Sequence, residues 1–110
     1  MSAFAEYVVE ILAPLGPVTP RRMFGGHGIF YDSLMIGLIA DDSLYLKVDP
    51  ISKADFEALE LPPFEYSKNG KPFAMSYHLA PEAIYDDPDE ARHWALKAYD
   101  AALRSQKKNK

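Results

Sequence analysis

Between residues 18 and 48 the chain alternates short apolar runs with two-residue breaks, and this spacing leaves little choice of fold. Val18 to Phe24 ends at Gly25-Gly26. Gly28 to Tyr31 ends at Asp32-Ser33, Leu34 to Ala40 at Asp41-Asp42, and Ser43 to Val48 at Asp49-Pro50. Antiparallel strands can be joined by a two-residue hairpin, whereas a parallel crossover needs about a dozen residues or more. The pattern therefore predicts successive hairpins. Leu44, Leu46 and Val48 alternate with Tyr45 and Lys47, as in a half-buried strand. Leu34-Met35-Ile36-Gly37-Leu38-Ile39-Ala40 is apolar on both faces, so it predicts a central strand whose second face needs cover from another element, a partner or a second copy of the chain.

The flanks read as helices. Phe4, Tyr7, Val8, Ile11, Leu12 and Leu15 recur at helical spacing, predicting an amphipathic helix over 3–13 that Pro14 and Gly16-Pro17 terminate. Asp49-Pro50 predicts a short helix to about Glu60, with Asp49 as its cap. Phe64-Glu65-Tyr66, Asn69-Gly70 and the alternation of Phe73, Met75, Tyr77 and Leu79 predict another hairpin. Asp87-Pro88-Asp89-Glu90 predicts a helix start, with Asp87 as N-cap, Pro88 at N1 and Glu90 closing a capping box. That helix should run to about Arg104 and bury Ala91, Trp94, Ala95, Ala98 and Ala102. The expected fold is α+β: an antiparallel meander of five or six strands, the two terminal helices packed on one face, and a short inserted helix.

A chain of 110 residues suits one domain, expected over 1–103 with a basic flexible tail over 104–110. The net charge is −4, yet Arg104, Lys107, Lys108 and Lys110 lie in the last seven residues, leaving −8 on the remainder. A body that acidic disfavours polyphosphates, because non-specific nucleic-acid binding depends on neutralising phosphates with Lys and Arg. With no cysteine there is no disulfide framework, thiolate zinc site or thiol nucleophile, which fits a cytoplasmic protein. Met1 to Glu6 has neither a basic n-region nor a long apolar stretch, so neither a signal peptide nor a membrane span is expected.

Few residues carry recognisable chemistry. Gly25-Gly26-His27-Gly28 precedes a strand rather than a helix, so it predicts a tight turn or bulge and not a phosphate cradle. His27, His78 and His93 lack metal-ligand spacing, and no metal or cofactor is expected. No nucleophile elbow is present. Arg21 and Arg22 suit anion contact, but neighbours on a strand face opposite ways. They should not form one clamp, and one of them should pair with an acid such as Asp32 or Asp49. Tyr31, Tyr45, Tyr66 and Tyr77, with Met35, Ile39 and Lys47, could line the sheet face opposite the helices and form a binding or dimer surface.

The ordered set Pro17-Val18-Thr19, Arg21-Arg22-Met23-Phe24-Gly25-Gly26, Leu44-Tyr45-Leu46-Lys47-Val48-Asp49, Gly70-Lys71, Met75-Ser76-Tyr77 and Trp94-Ala95 resembles the N-terminal domain of TfoX/Sxy-type competence regulators, from about Phe4 to Ala102. The resemblance implies an α+β sheet and a regulatory role without known enzymatic activity. It also implies a standalone N-terminal domain lacking the second domain of full-length regulators, to which a competence role transfers poorly.

Three functional readings follow. The first is a non-enzymatic regulatory domain that contacts an unknown protein partner or a second copy of itself, with Arg21, Arg22, Tyr45, Lys47, Lys71 and Tyr77 as interaction candidates. Gly25, Gly26, Asp87, Pro88, Glu90 and Trp94 are structural in this reading. The second is direct nucleic-acid binding through Arg21 or Arg22, Lys68, Lys71 and the basic tail. The third is a small-ligand or enzymatic site near His27 and His78.

Overall fold

A computed structural model describes residues 2–23, 25–68 and 70–108, and the side chains of these except 67, 68, 71–74, 107 and 108. The elements in chain order are α1 (Ala3–Ile11), β1 (Thr19–Met23), β2 (Gly26–Tyr31), β3 (Leu34–Ala40), β4 (Ser43–Lys47), α2 (Lys53–Ala58), β5 (Pro63–Lys68), β6 (Lys71–Leu79), a 3₁₀ turn (Glu82–Tyr85) and α3 (Pro88–Lys108). All six strands join one antiparallel sheet in the order β1-β2-β3-β4-β6-β5. The fold is α+β, as the hairpin spacing predicts.

The turns behave as their residues dictate. Asp32 and Ser33 have φ of 52° and 68°, and Asp41 and Asp42 have 51° and 56°. Two consecutive left-handed residues are what a two-residue hairpin of matching twist requires, and Asp tolerates that conformation better than most residues. Gly25 sits at φ 77° between β1 and β2. Gly26 begins β2 for a different reason: a Cβ there would lie 2.0 Å from the Ile39 carbonyl oxygen. Phe24 and Asn69, which the sequence places at these hairpins, fall outside the described residues.

Consecutive strands are neighbours through β4. The α2 insertion then carries the chain past one position, so β5 takes the sheet edge and β6 returns beside β4. Asp49 Oδ1 accepts from the amides of Ile51 (3.2 Å) and Ser52 (2.9 Å), and Ser52 Oγ accepts from the Asp49 amide (3.1 Å). The helix expected to begin at Pro50 therefore opens with this reciprocal turn, and α2 proper starts at Lys53.

Ser2 caps α1, its Oγ accepting from the Ala5 amide at 3.1 Å. Asp87 caps α3, Oδ1 accepting from the Asp89 amide at 2.9 Å. The second arm of the expected capping box is not made: the Asp87 amide donates to the Ala83 carbonyl, and Glu90 Oε1 accepts instead from Trp94 Nε1 at 3.4 Å. The domain boundary expected at 103 falls inside α3, which continues through Lys108. Arg104, the first residue of the expected tail, is helical and meets an acid (below).

The core lies between the sheet and the helices. Ile29, Ile39, Leu44 and Leu46 from the strands meet Val8 and Leu12 of α1, Phe56 of α2, and Ala91, Trp94, Ala95 and Ala98 of α3. The alanine face lets α3 approach closely, while Trp94 meets Phe56 edge-on with ring centroids 4.9 Å apart. Leu38 and Tyr77 are also buried yet stand apart from this cluster. They belong to the other side of the sheet.

Candidate functional site

Strand register fixes which side chains share that other side. On β3 and β4, Ile39 pairs with Leu44 and Gly37 with Leu46, both on the helix side, so Leu38 with Tyr45 falls on the opposite face. On β1 and β2, Arg21 lies across from Gly28 and Thr19 across from Phe30 on this helix-free face, whereas Arg22 lies across from His27 on the helix side. On β6, Tyr77 is across from Lys47. The face therefore gathers Arg21, Met23, Phe30, Leu38, Tyr45, Lys47 and Tyr77, with Phe64 meeting Tyr45 at 5.1 Å between centroids.

The sheet curls around this face. Met23 of β1, Leu38 and Ala40 of β3, Phe64 and Tyr66 of β5 and Met75 of β6 line one cavity of about 450 Å³. β1 and β5 are opposite edges of the sheet, so a flat sheet could not bring both to one cavity. Right-handed twist supplies the curl. The bulge between Ile29 and Phe30 and the irregular register between Pro63 and Glu65 increase it locally. Two thioethers and two aromatic rings make the lining adaptable and apolar.

Cations flank the apolar region. The Arg21 guanidinium lies over the Phe30 ring, 5.0 Å from its centroid. The Lys47 ammonium lies 5.1 Å over Tyr77 and donates to Ser76 Oγ at 2.7 Å. Burial pulls the Lys47 pKa down, and the nearby Asp49 charge opposes that shift. Tyr77 donates to the Met35 carbonyl at 3.4 Å, and burial pushes its phenol up to about 12. Residues two apart on a strand stand about 7 Å apart. Arg21 therefore stands beside Met23 of the cavity lining, and Lys47 beside Tyr45, whose ring meets Phe64 of that lining.

Other expected site residues do not converge. Arg21 and Arg22 face opposite ways, as strand geometry predicts, but neither forms an ion pair among the described residues. The acids proposed for them are engaged elsewhere. Asp49 holds Arg104, and Asp32 accepts from Tyr99 Oη at 2.7 Å. Tyr31 turns to the helix side and meets Tyr99 edge-on at 4.9 Å; Ile39 packs into the core and also borders the cavity between Leu38 and Ala40. The Lys68 and Lys71 side chains lie outside the described residues.

His27 and His78 do not form a shared site. They lie on β2 and β6 with two strands between them, roughly 14 Å apart at the usual strand spacing. His78 is buried, with Nδ1 2.7 Å from the Leu61 carbonyl oxygen and its ring against Phe56. That arrangement serves packing. His27 Nε2 is buried without a hydrogen-bond partner among the described residues. Among the described residues no group of three His, Cys, Asp or Glu could hold a metal ion, and no helix is long and apolar enough to cross a membrane.

The sequence missed Met23, Leu38, Phe64 and Met75 as site residues. Each reads as core on its own strand, and only the curl of the sheet brings them together. The signal for the face was present in the two-sided apolar run of β3.

The sequence is similar to known proteins. The TfoX N-terminal domain matches residues 10–102. Protein Sxy of Escherichia coli (strain K12) is 25% identical over 97 residues, covering 86% of this chain and 46% of that protein. DNA transformation protein TfoX1 of Aliivibrio fischeri (strain ATCC 700601 / ES114) is 30% identical over 88 residues, covering 80% and 42% respectively. The chain thus spans less than half the length of these curated relatives.

Proposed function

The chain belongs to the TfoX N-terminal domain family, and from that premise we propose that it is a non-enzymatic regulatory domain of the cytoplasm that works by binding another protein through the helix-free face of its sheet. The observation that supports this reading is the apolar cavity shared by both sheet edges, on the face that also carries Arg21 and Lys47. Interfaces favour aromatic residues, Met and Arg at their centres, and this face combines all three. Exposed apolar surface marks interaction sites, and Tyr66 of the cavity lining is 45% exposed. The name of one relative, DNA transformation protein TfoX1, points towards DNA transformation, and a role in controlling gene expression for that process is part of the proposal.

The two faces of β1 supply the test. Tagged wild-type chain, an Arg21→Glu/Lys47→Glu variant and an Arg22→Glu variant are used to capture partners from nuclease-treated native lysate. A defined protein retained by wild type and Arg22→Glu, but lost from the double variant, is the expected result. Loss with Arg22→Glu alone moves the surface to the helix side. Capture that nuclease abolishes replaces the reading with nucleic-acid binding.

A further inference from the structure

Resting on that reading, we propose that the partner presents an acidic, apolar segment: a bulky aliphatic or aromatic side chain enters the cavity between Met23, Phe64 and Met75, and carboxylates beside it meet Arg21 and Lys47. Charge carries the choice of occupant. The chain has 16 acidic and 12 basic residues, yet the strand side chains described on this face include two cations and no carboxylate. An acidic segment is repelled by most of the surface and attracted here, which orients its approach and selects against other partners.

Both cations are also held in place before any partner arrives. Arg21 is set over Phe30, and Lys47 is fixed by the Tyr77 ring and Ser76 Oγ. Side chains already ordered lose less freedom on binding, so more of the charge attraction remains as affinity. Phe30 and Tyr77 share the face with the cavity, so a segment laid along the face would bring a carboxylate and an apolar group to their sites together.

A second copy of the chain fits less well. A two-fold contact presents the same patch from both sides, which here sets cations against cations, while Asp49, whose charge reaches Lys47, is already held by Arg104. A nucleic acid fits less well too. Neutralising two phosphates gives a salt slope of only about −1.8 on a logarithmic plot, on a protein whose net charge is −4.

A random-peptide phage library selected against the immobilised full chain tests the proposal. Recovered peptides are measured against wild type, Met75→Glu, Lys47→Glu, the neutral Lys47→Met and, as control, Arg22→Glu, each checked for native far-UV circular dichroism. The expected peptides join Leu, Phe or Trp to nearby Asp or Glu. Their affinity should fall roughly tenfold or more on Lys47→Glu and on exchanging their carboxylates for amides, fall on Met75→Glu, and hold on Arg22→Glu. Peptides that need Met75 but tolerate carboxylate exchange would overturn the acidic partner while leaving the binding face intact. Peptides indifferent to both Met75 and Lys47, or no enrichment at all, would overturn the inference and the face together. A sedimenting dimer that Met75→Glu dissociates would replace the partner with a second copy.

Discussion

Arg104 of α3 forks onto Asp49, its Nε meeting Oδ2 and its Nη2 meeting Oδ1 at 3.0 Å, and so ties the C-terminal helix to the junction between β4 and α2. The same carboxylate organises the turn into α2 through the amides of Ile51 and Ser52. One side chain thus fixes the end of the Lys47 strand from two directions. The Arg104 hydrogen bonds are the largest cause holding its carboxyl well below the usual range, with the Ser52 amide adding to them.

The pH dependence follows from that direction. A carboxyl whose folded pKa is depressed stabilises the fold above its unfolded value near 4, and the contribution fades as pH falls through the acid range. Arg104→Ala should cost about 1–2 kcal/mol at neutral pH, discounted because the guanidinium side is 35% exposed. The difference between wild type and variant should shrink progressively below about pH 4. Urea denaturation at pH 7 and pH 3 measures both.

Trp94 is the only tryptophan, so its fluorescence reports folding directly. It fills the space between Phe56 and the alanine face of α3. Trp94→Ala should cost about 3–5 kcal/mol. Trp94→Phe should cost less, because it keeps an aromatic ring against Phe56 while losing the weak bond to Glu90 and part of the buried volume. Denaturation followed by circular dichroism gives the comparison.

The glycine pair should separate into two kinds of requirement. Gly26→Ala drives a methyl into the Ile39 carbonyl and should cost more than about 2 kcal/mol. Gly25→Ala meets nothing within 4 Å and should cost only the left-handed penalty, about 1–2 kcal/mol. Ser33→Gly, at φ 68°, should instead stabilise by about 0.5–1 kcal/mol. Thermal unfolding of the three variants orders them.

Removing the charges of the helix-free face should leave the fold intact. Arg21 is exposed and Lys47 half-buried, and Met keeps the apolar stem of Lys47, so Lys47→Met should shift the melting temperature little while weakening partner binding. Equal losses of stability and binding would mean that Lys47 acts only through the strand it sits on.

The strands were legible because two-residue breaks such as Asp32-Ser33 and Asp41-Asp42 admit only hairpins. Helix faces were legible because the Ala91, Trp94 and Ala98 spacing is local. The position of β5 at the edge was not, since it depends on where α2 lets the chain return. Nor were the partners of charged groups: Asp49 and Arg104 are 55 residues apart, and nothing local links them. For the site, Tyr45, Lys47, Tyr77 and Arg21 were named from residue type, but parity alone could not tell that Tyr31 turns inward. The cavity was hidden because its walls come from opposite edges of a sheet whose curl depends on bulges.

Position-specific photocrosslinking tests the central claim most directly. A photoreactive phenylalanine placed at Tyr45, on the helix-free face, is compared with one at Tyr7, on α1. The account predicts a discrete protein adduct from position 45 that Lys47→Glu abolishes, and none at matching mass from position 7. Adducts from position 7 alone, or a position-45 adduct indifferent to Lys47→Glu, would contradict it.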